Sequence, residues 1–157
     1  MSRKGTARER KTPKDYLYGS VLVSKMINSI MLAGKKSIAE KIVYDALEKL
    51  KIEGDENKPI EIFHQSISNV MPKIEVRPQR VGGATYQIPT EVRERRAITL
   101  ALRWIGLSAK ARSGKSMTEK LTNELLDAYQ NRGGAITTKE NKRKMAEANK
   151  AFAHYRW

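Results

Sequence analysis

Between residues 73 and 89 the apolar side chains change period, and this change limits the possible folds more than any other feature of the chain. Ile74 and Val76 alternate with Lys73, Glu75 and Arg77, and Tyr86 and Ile88 alternate with Thr85 and Gln87, the two-residue repeat of extended backbone. Gly82-Gly83 lies between the two runs and supplies a turn whose backbone reaches close to a ligand. The segment predicts a two-stranded ribbon with one apolar and one polar face. Pro78 and Pro89 predict irregular or edge strands. A ribbon this small is marginal alone in water, so it is expected to order fully only on a partner.

Everywhere else the spacing is helical. Leu22, Val23, Met26, Ile27, Ile30 and Met31 predict a first helix over residues 21–33, with Ser20 placed to cap it and Gly34 to stop it. Lys35 and Lys36 follow at its exit, where cations either complement the helix dipole or meet phosphate. Ser37-Ile38-Ala39-Glu40 reads as a capping box for a second helix with a stripe of Ile38, Ala39, Ile42, Val43, Ala46, Leu47 and Leu50, closed by Gly54. A third runs from Pro59 through Ile60, Phe63, Ile67 and Val70 and stops before Pro72. His64 stands alone in it, without a ligand-spaced neighbour, and reads as a surface or satisfied histidine.

Thr90 is placed to cap a fourth helix. At ~100° per residue Arg95, Arg96, Thr99 and Arg103 gather on one side, while Ala97, Ile98, Ala101 and Ile105 lie broadly opposite. Several arginines on one face suit phosphate, because guanidinium forks match phosphate oxygens. Ser116 to Glu119 forms a further capping box, ahead of Leu121, Leu125, Leu126 and Tyr129 in a fifth helix ending at Gly133-Gly134. Thr137 to Glu140 repeats the pattern for a last helix with Met145, Ala148, Ala151 and Phe152. The closing His154-Tyr155-Arg156-Trp157 either stacks on bases or latches that helix.

The fold class expected is therefore mainly α: a single domain of about six helices, with a two-stranded β-hairpin protruding between the third and fourth. Residues 1–15 form a basic arm, and residues 16–157 form a helical domain with the ribbon at 73–89.

Charge narrows the function. The formal net charge is +14, and it is unevenly spread. Residues 37–72 hold four basic against seven acidic residues, whereas residues 1–36 hold nine against two, and the loop 108–116 holds three basic and no acidic ones. A helical core thus presents a basic arm, ribbon, loop and tail, the electrostatic footprint of a polyanion binder. The candidate contacts are Arg3, Lys4, Arg8, Arg10 and Lys11 in the arm, with Lys35 and Lys36 after the first helix. Arg77, Arg80, Gly82 and Gly83 belong to the ribbon, Arg93, Arg95, Arg96 and Arg103 to the fourth helix, and Lys110, Arg112 and Lys115 to the loop.

Other functions find no support. The chain has no cysteine, which removes disulfides, thiolate metal sites and Cys nucleophiles. Gly114-Lys115-Ser116 resembles the end of a nucleotide-binding loop, but Ala109 stands where that loop needs glycine, and a helix precedes it instead of a strand. No catalytic constellation, metal ligand set or cofactor motif is visible, and no apolar run approaches the roughly 18 residues of a membrane span. The basic N-terminus is not followed by an apolar segment, so a secretory signal is not expected. A soluble intracellular nucleic-acid binder is the reading, with DNA as the alternative target of the same basic helix.

The stretch Arg80 to Arg96, RVGGATYQIPTEVRERR, resembles small-subunit ribosomal protein seven of bacteria and organelles. The likeness extends through Leu102-Arg103-Trp104, the NSIMLAGKK run from Asn28 to Lys36, and the closing MAEANKAFAHYRW from Met145 to Trp157. The resemblance implies a helical fold with a ribbon between the third and fourth helices. It implies binding to the 3′ major domain of small-subunit ribosomal RNA early in assembly, organising the head beside neighbouring head and platform proteins. The basic arm, the exit of the first helix, the ribbon and the arginine-rich helix would meet this RNA. The ribbon tip around residues 81–85 would lie near the exit transfer-RNA site and the messenger. Repression of the protein's own transcript is a further implied role. The expected location is the cytoplasmic ribosome or an organellar one. Pro78-Gln79 departs from the family, which commonly has a small residue and then arginine there; this implies one phosphate contact fewer and a stiffer ribbon. The chain stops at Trp157, without the C-terminal extension of some members.

Overall fold

The computed structural model describes residue 5, residues 11–50 and residues 58–155. Among these the elements are α1 (Val21–Ile30), α2 (Lys36–Glu48), α3 (Pro59–Val70), β1 (Ile74–Val81), β2 (Ala84–Glu91), α4 (Glu94–Ala111), α5 (Met117–Tyr129) and α6 (Gly134–Ala148), followed by a 3₁₀ turn over Lys150–Tyr155. The architecture is mainly helical, with the antiparallel hairpin between α3 and α4.

The first five helices largely bury the stripes their spacing defines, with Ile38 left 54% exposed. The last does not: Met145 and Ala148 are exposed, Ala151 and Phe152 fall in the terminal turn, and α6 packs instead through the small residues Ala135 and Ala146. Val23, Met26 and Ile27 of α1, Val43 and Leu47 of α2, Phe63 and Ile67 of α3, Ala101 and Ile105 of α4 and Leu121 and Leu125 of α5 share one core. α5 packs against α2, α3, α4 and α6. Each large apolar side chain withdrawn from water there contributes roughly 1.5–3 kcal/mol. Polar side chains close the gaps between carbonyls: the buried Ser66 hydroxyl lies 2.7 Å from Ile62 O and 2.8 Å from Leu125 O. Asn69 Nδ2 donates to Ala128 O and Tyr129 O at the end of α5, and Lys139 Nζ donates to Asn69 O at the end of α3. Ahead of α1, buried Asp15 accepts from the Leu17 and Tyr18 amides and from the Tyr44 hydroxyl, fastening residues 15–18 to α2.

Local signals misplace several helix starts. α1 ends at Ile30, ahead of the expected Ala33, and Ser20 holds the N-cap position but its hydroxyl is hydrogen-bonded with His64 Nε2 at 3.1 Å and makes no cap bond. The Ser37 box is not used: α2 starts at Lys36 with Lys35 at its N-cap, and Glu40 pairs with Lys36 at 3.5 Å. Thr90 lies in β2 and donates to Glu75 O, so that Arg93 becomes the N-cap of α4. The Ser116 cap forms as expected, with Glu119 N donating to Ser116 Oγ at 3.2 Å, but the other half of the box is shifted by one residue, the Glu119 carboxylate accepting from Lys115 N at 3.3 Å. α6 opens at Gly134, upstream of Thr137-Thr138, whose hydroxyls donate back to Gly133 O and Gly134 O. Its opening turn is satisfied from another helix: Ala135 N donates to the buried Glu124 Oε1 of α5 at 2.8 Å. Gly54 lies outside the described residues.

The ribbon corrects two further expectations. Its pairing is continuous from Ile74 opposite Glu91 to Val81 opposite Ala84, around Gly82 (φ 57°) and Gly83 (φ 91°). Positive φ at both central residues is the two-residue turn that matches strand twist, and it closes on a hydrogen-bonded pair. Alternation from that pair leaves Pro78 opposite Gln87, and Pro89 opposite Val76, in non-bonded pairs, where a missing N–H breaks no ladder bond. The strands are therefore regular despite both prolines. The register also sets Arg77 opposite Ile88 and Gln79 opposite Tyr86, while Val76 faces Pro89. Directly opposed residues share a face, so the apolar residues of the two strands point to opposite sides and no single apolar face exists. Ile88 is fully buried and Ile74 is exposed. Tyr86 packs on Phe152 and Tyr155 of the terminal turn, with ring centroids 5.2 and 5.3 Å away, so the tail latches the ribbon.

Candidate nucleic-acid interface

α4 begins at the foot of the ribbon and at ~1.5 Å per residue its 18 residues extend about 27 Å. Its inner side, Ala97, Ala101, Leu102, Ile105 and Ala109, is buried, while Arg93, Arg95, Arg96, Arg103 and Lys110 are exposed. Three grooves along it carry cations. The first lies between the ribbon base and the start of the helix and is lined by Arg77, Gln79, Thr90, Arg93 and Arg96, with the acidic Glu91 among them. The second, between α1 and α4, is lined by Lys25, Asn28 and Ser29 on one wall and by Arg95, Thr99 and Arg103 on the other. The third, near the end of α4, brings Lys110 beside Lys35 over an apolar floor of Ile30, Ile38 and Met117.

The first groove has a defined electrostatic structure. Glu75 Oε1 accepts from Arg77 Nε at 2.5 Å, and Arg96 Nε donates to Glu75 Oε2 at 2.7 Å. Burial alone would raise the Glu75 carboxyl, but the hydrogen bonds from Arg96 and Arg77 outweigh it and hold the group below the usual carboxylate range. At Lys35 and Lys36 the dipole account fails: these lysines stand at the N-terminal, positive end of α2, where a cation is disfavoured. The fold gains nothing from the dipole there; Lys36 is engaged by Glu40 at 3.5 Å, and Lys35 is exposed beside the third groove.

The remaining sequence-derived residues are dispersed. Arg80, Gly82 and Gly83 are exposed at the ribbon tip, and Lys11 and Lys36 are exposed near the start of the domain. Lys115 is exposed in the loop after α4, its amide donating to Glu119 Oε2. Arg112 turns inward instead. Its Nε donates to Glu124 Oε2 at 2.5 Å and its Nη2 to Asp127, tying the end of α4 to α5. Arg3, Lys4, Arg8 and Arg10 lie outside the described residues. The sequence reading overlooked Lys25, Asn28 and Ser29, which form a polar i, i+3, i+4 stripe on α1. That stripe is visible in the sequence, but its position opposite Arg103 depends on how α1 docks on α4. Among the described residues no group of His, Cys, Asp or Glu is arranged to hold a metal ion, and no helix is long and apolar enough to cross a membrane.

The chain matches known proteins along its length. Residues 2–150 match the family described as Ribosomal protein S7p/S5e. The small ribosomal subunit protein uS7 of Dictyoglomus turgidum is 54% identical over 157 residues, the whole of both chains. The protein of the same name from Moorella thermoacetica is 54% identical over the same span. That of a Sulfurihydrogenibium species is 56% identical over 160 aligned residues, again covering all of both chains.

Proposed function

The chain belongs to the Ribosomal protein S7p/S5e family, and from that premise we propose that it is a structural component of the small ribosomal subunit in the cytoplasmic ribosome. It binds the 3′ major domain of small-subunit ribosomal RNA early in assembly and organises the head. What carries the RNA reading is the line of three cation-bearing grooves along α4, which brings residues from α1, the ribbon and α4 onto one track. Phosphate contacts supply most of the affinity, and RNA shape supplies the specificity. The basic arm 1–15 adds charge to the helical domain 16–157, and the ribbon tip at Gly82-Gly83 reaches toward exit-site transfer RNA and the messenger. Neighbouring head and platform proteins complete the surroundings.

Among the residues read as contacts, Arg93, Arg95, Arg96, Arg103, Lys35, Lys36, Arg77, Arg80, Lys110 and Lys115 face the RNA, while Arg112 serves the protein interior. The test is binding to a 3′ major-domain transcript across a salt series. Each phosphate contact contributes roughly 0.7–0.9 to the log-log slope, so Arg95→Ala with Arg103→Ala should flatten it by about 1.5 and leave helical ellipticity unchanged. An affinity nearly independent of salt defeats the phosphate reading. Equal binding to duplex DNA in competition favours the DNA alternative.

A further inference from the structure

Glu75 is an acidic residue at the base of a basic ribbon, its side chain only 12% exposed, and it touches two of the arginines assigned to RNA. Its Oε1 accepts from Arg77 Nε at 2.5 Å, forms an ion pair with Arg77 Nη2 at 2.5 Å, and Arg96 Nε donates to Oε1 at 2.9 Å and to Oε2 at 2.7 Å. The two arginines come from separate elements 19 positions apart, β1 and α4, and this carboxylate brings them together. Both stay more than half exposed, at 56% and 53% of their side-chain surface. The Nη groups of Arg96 have no partner among the described residues, and the side chain lines the groove shared with Arg77 and Arg93. The Glu75 carboxylate is thus set behind three arginines, and with Glu91 on the groove wall three positive charges meet two negative ones, a net positive site.

We propose that this groove receives a single backbone phosphate of the RNA, and that Glu75 is the positioning residue that holds the Arg77 and Arg96 guanidinium groups in place for it. The inference rests on the RNA-binding function proposed above. An exposed arginine samples many rotamers and must give them up to grip a phosphate; one fixed at Nε has already done so. Gripping Arg96 through Nε leaves its Nη edge to present paired N–H donors, the arrangement that phosphate oxygens accept in bidentate fashion. Gln79 on the same wall adds a neutral donor.

The proposal inverts the sign expected from bulk charge. Glu75→Gln raises the net positive charge by one, which by itself tightens RNA binding. Loss of positioning weakens it. In filter binding of the full chain to a 3′ major-domain transcript, Glu75→Gln is expected to bind about tenfold more weakly, the scale of one charge-assisted hydrogen bond lost. Amide exchange along 74–91 should be unchanged. Equal or tighter binding overturns the proposal. Should Glu75→Gln loosen the ribbon, Arg96→Lys decides the matter, since it keeps the charge and loses the Nε bond: a similar weakening with the ribbon protected supports the groove, and unchanged affinity overturns it. Absence of binding by the unaltered chain overturns the RNA function itself, an outcome distinct from failure of the groove alone.

Discussion

Glu124 offers the sharpest test of how the fold is held. It is 1% exposed on α5, and its carboxylate serves two elements: Oε2 accepts from Arg112 Nε at 2.5 Å, closing the end of α4, and Oε1 accepts from Ala135 N at 2.8 Å, opening α6. Glu124→Ala leaves the Ala135 amide buried without a partner, worth about 1–3 kcal/mol. It also strips Arg112 of its buried counter-ion, a loss of about 3–5 kcal/mol when the remaining charge is fully enclosed. Arg112 is 26% exposed and keeps Asp127, so this second contribution belongs at or below the bottom of its range. A total of about 4 kcal/mol follows, near 10 °C in melting temperature at roughly 2–4 °C per kcal/mol for a domain of this size. Glu124→Gln retains an oxygen for Ala135 and loses only the charge, so about half that cost is expected. Urea unfolding followed at 222 nm measures both. Losses below about 1 kcal/mol in Glu124→Ala, or no difference between the two variants, would refute the dual role. Arg112→Ala should destabilise comparably while leaving the salt slope of RNA binding unchanged, in contrast to Arg103→Ala.

Two other outcomes are expected. Tyr86→Ala removes both ring contacts to the terminal turn, each worth about 0.5–1.5 kcal/mol; hydrogen exchange should rise across the ribbon and stay unchanged in α5, and unchanged ribbon protection would show the latch to be idle. The Glu75 carboxyl, held below the ordinary range, contributes ion-pair stability that is fully present above the unfolded carboxylate pKa and is lost as pH falls through the lowered folded value. A carboxyl-carbon NMR titration of Glu75 should therefore give a midpoint below that of an ordinary glutamate, and a midpoint at or above it would contradict the pairing with Arg77 and Arg96.

Much of this is legible in the residues because it depends on near neighbours. The apolar stripes of the first five helices, the hairpin between α3 and α4, and the exposed arginine face of α4 follow from periods of 3.6 and 2.0, which involve only side chains a few positions apart, whereas the weakly apolar α6 buries Ala135 and Ala146 and not the Met145 stripe. The Ser116 cap and the turn at Gly82-Gly83 are equally local, since the groups that satisfy them lie within four residues. Family membership, carried by the run from Arg80 to Arg96 and by the closing segment, is legible for the same reason.

What required the tertiary structure is each feature whose partner is distant in sequence. α6 starts at Gly134 because a carboxylate on α5 reaches Ala135 N, and a side chain eleven positions away outweighs the threonines that look like the cap. Lys36 became the first residue of α2 because the chain turns at Ala33 and Gly34, both at positive φ, which moved two lysines from the favourable end of one dipole to the unfavourable end of the next. The faces of the ribbon were decided by register, which a two-residue turn sets and composition does not. Arg112 and Arg103 are the same residue type, the first at the C-cap of α4 and the second inside it, and both read as phosphate contacts in the sequence. One neutralises a buried glutamate and the other lines a groove opposite Lys25, because only the packing of α4 against α5 and α1 determines which charge meets a partner and which meets solvent.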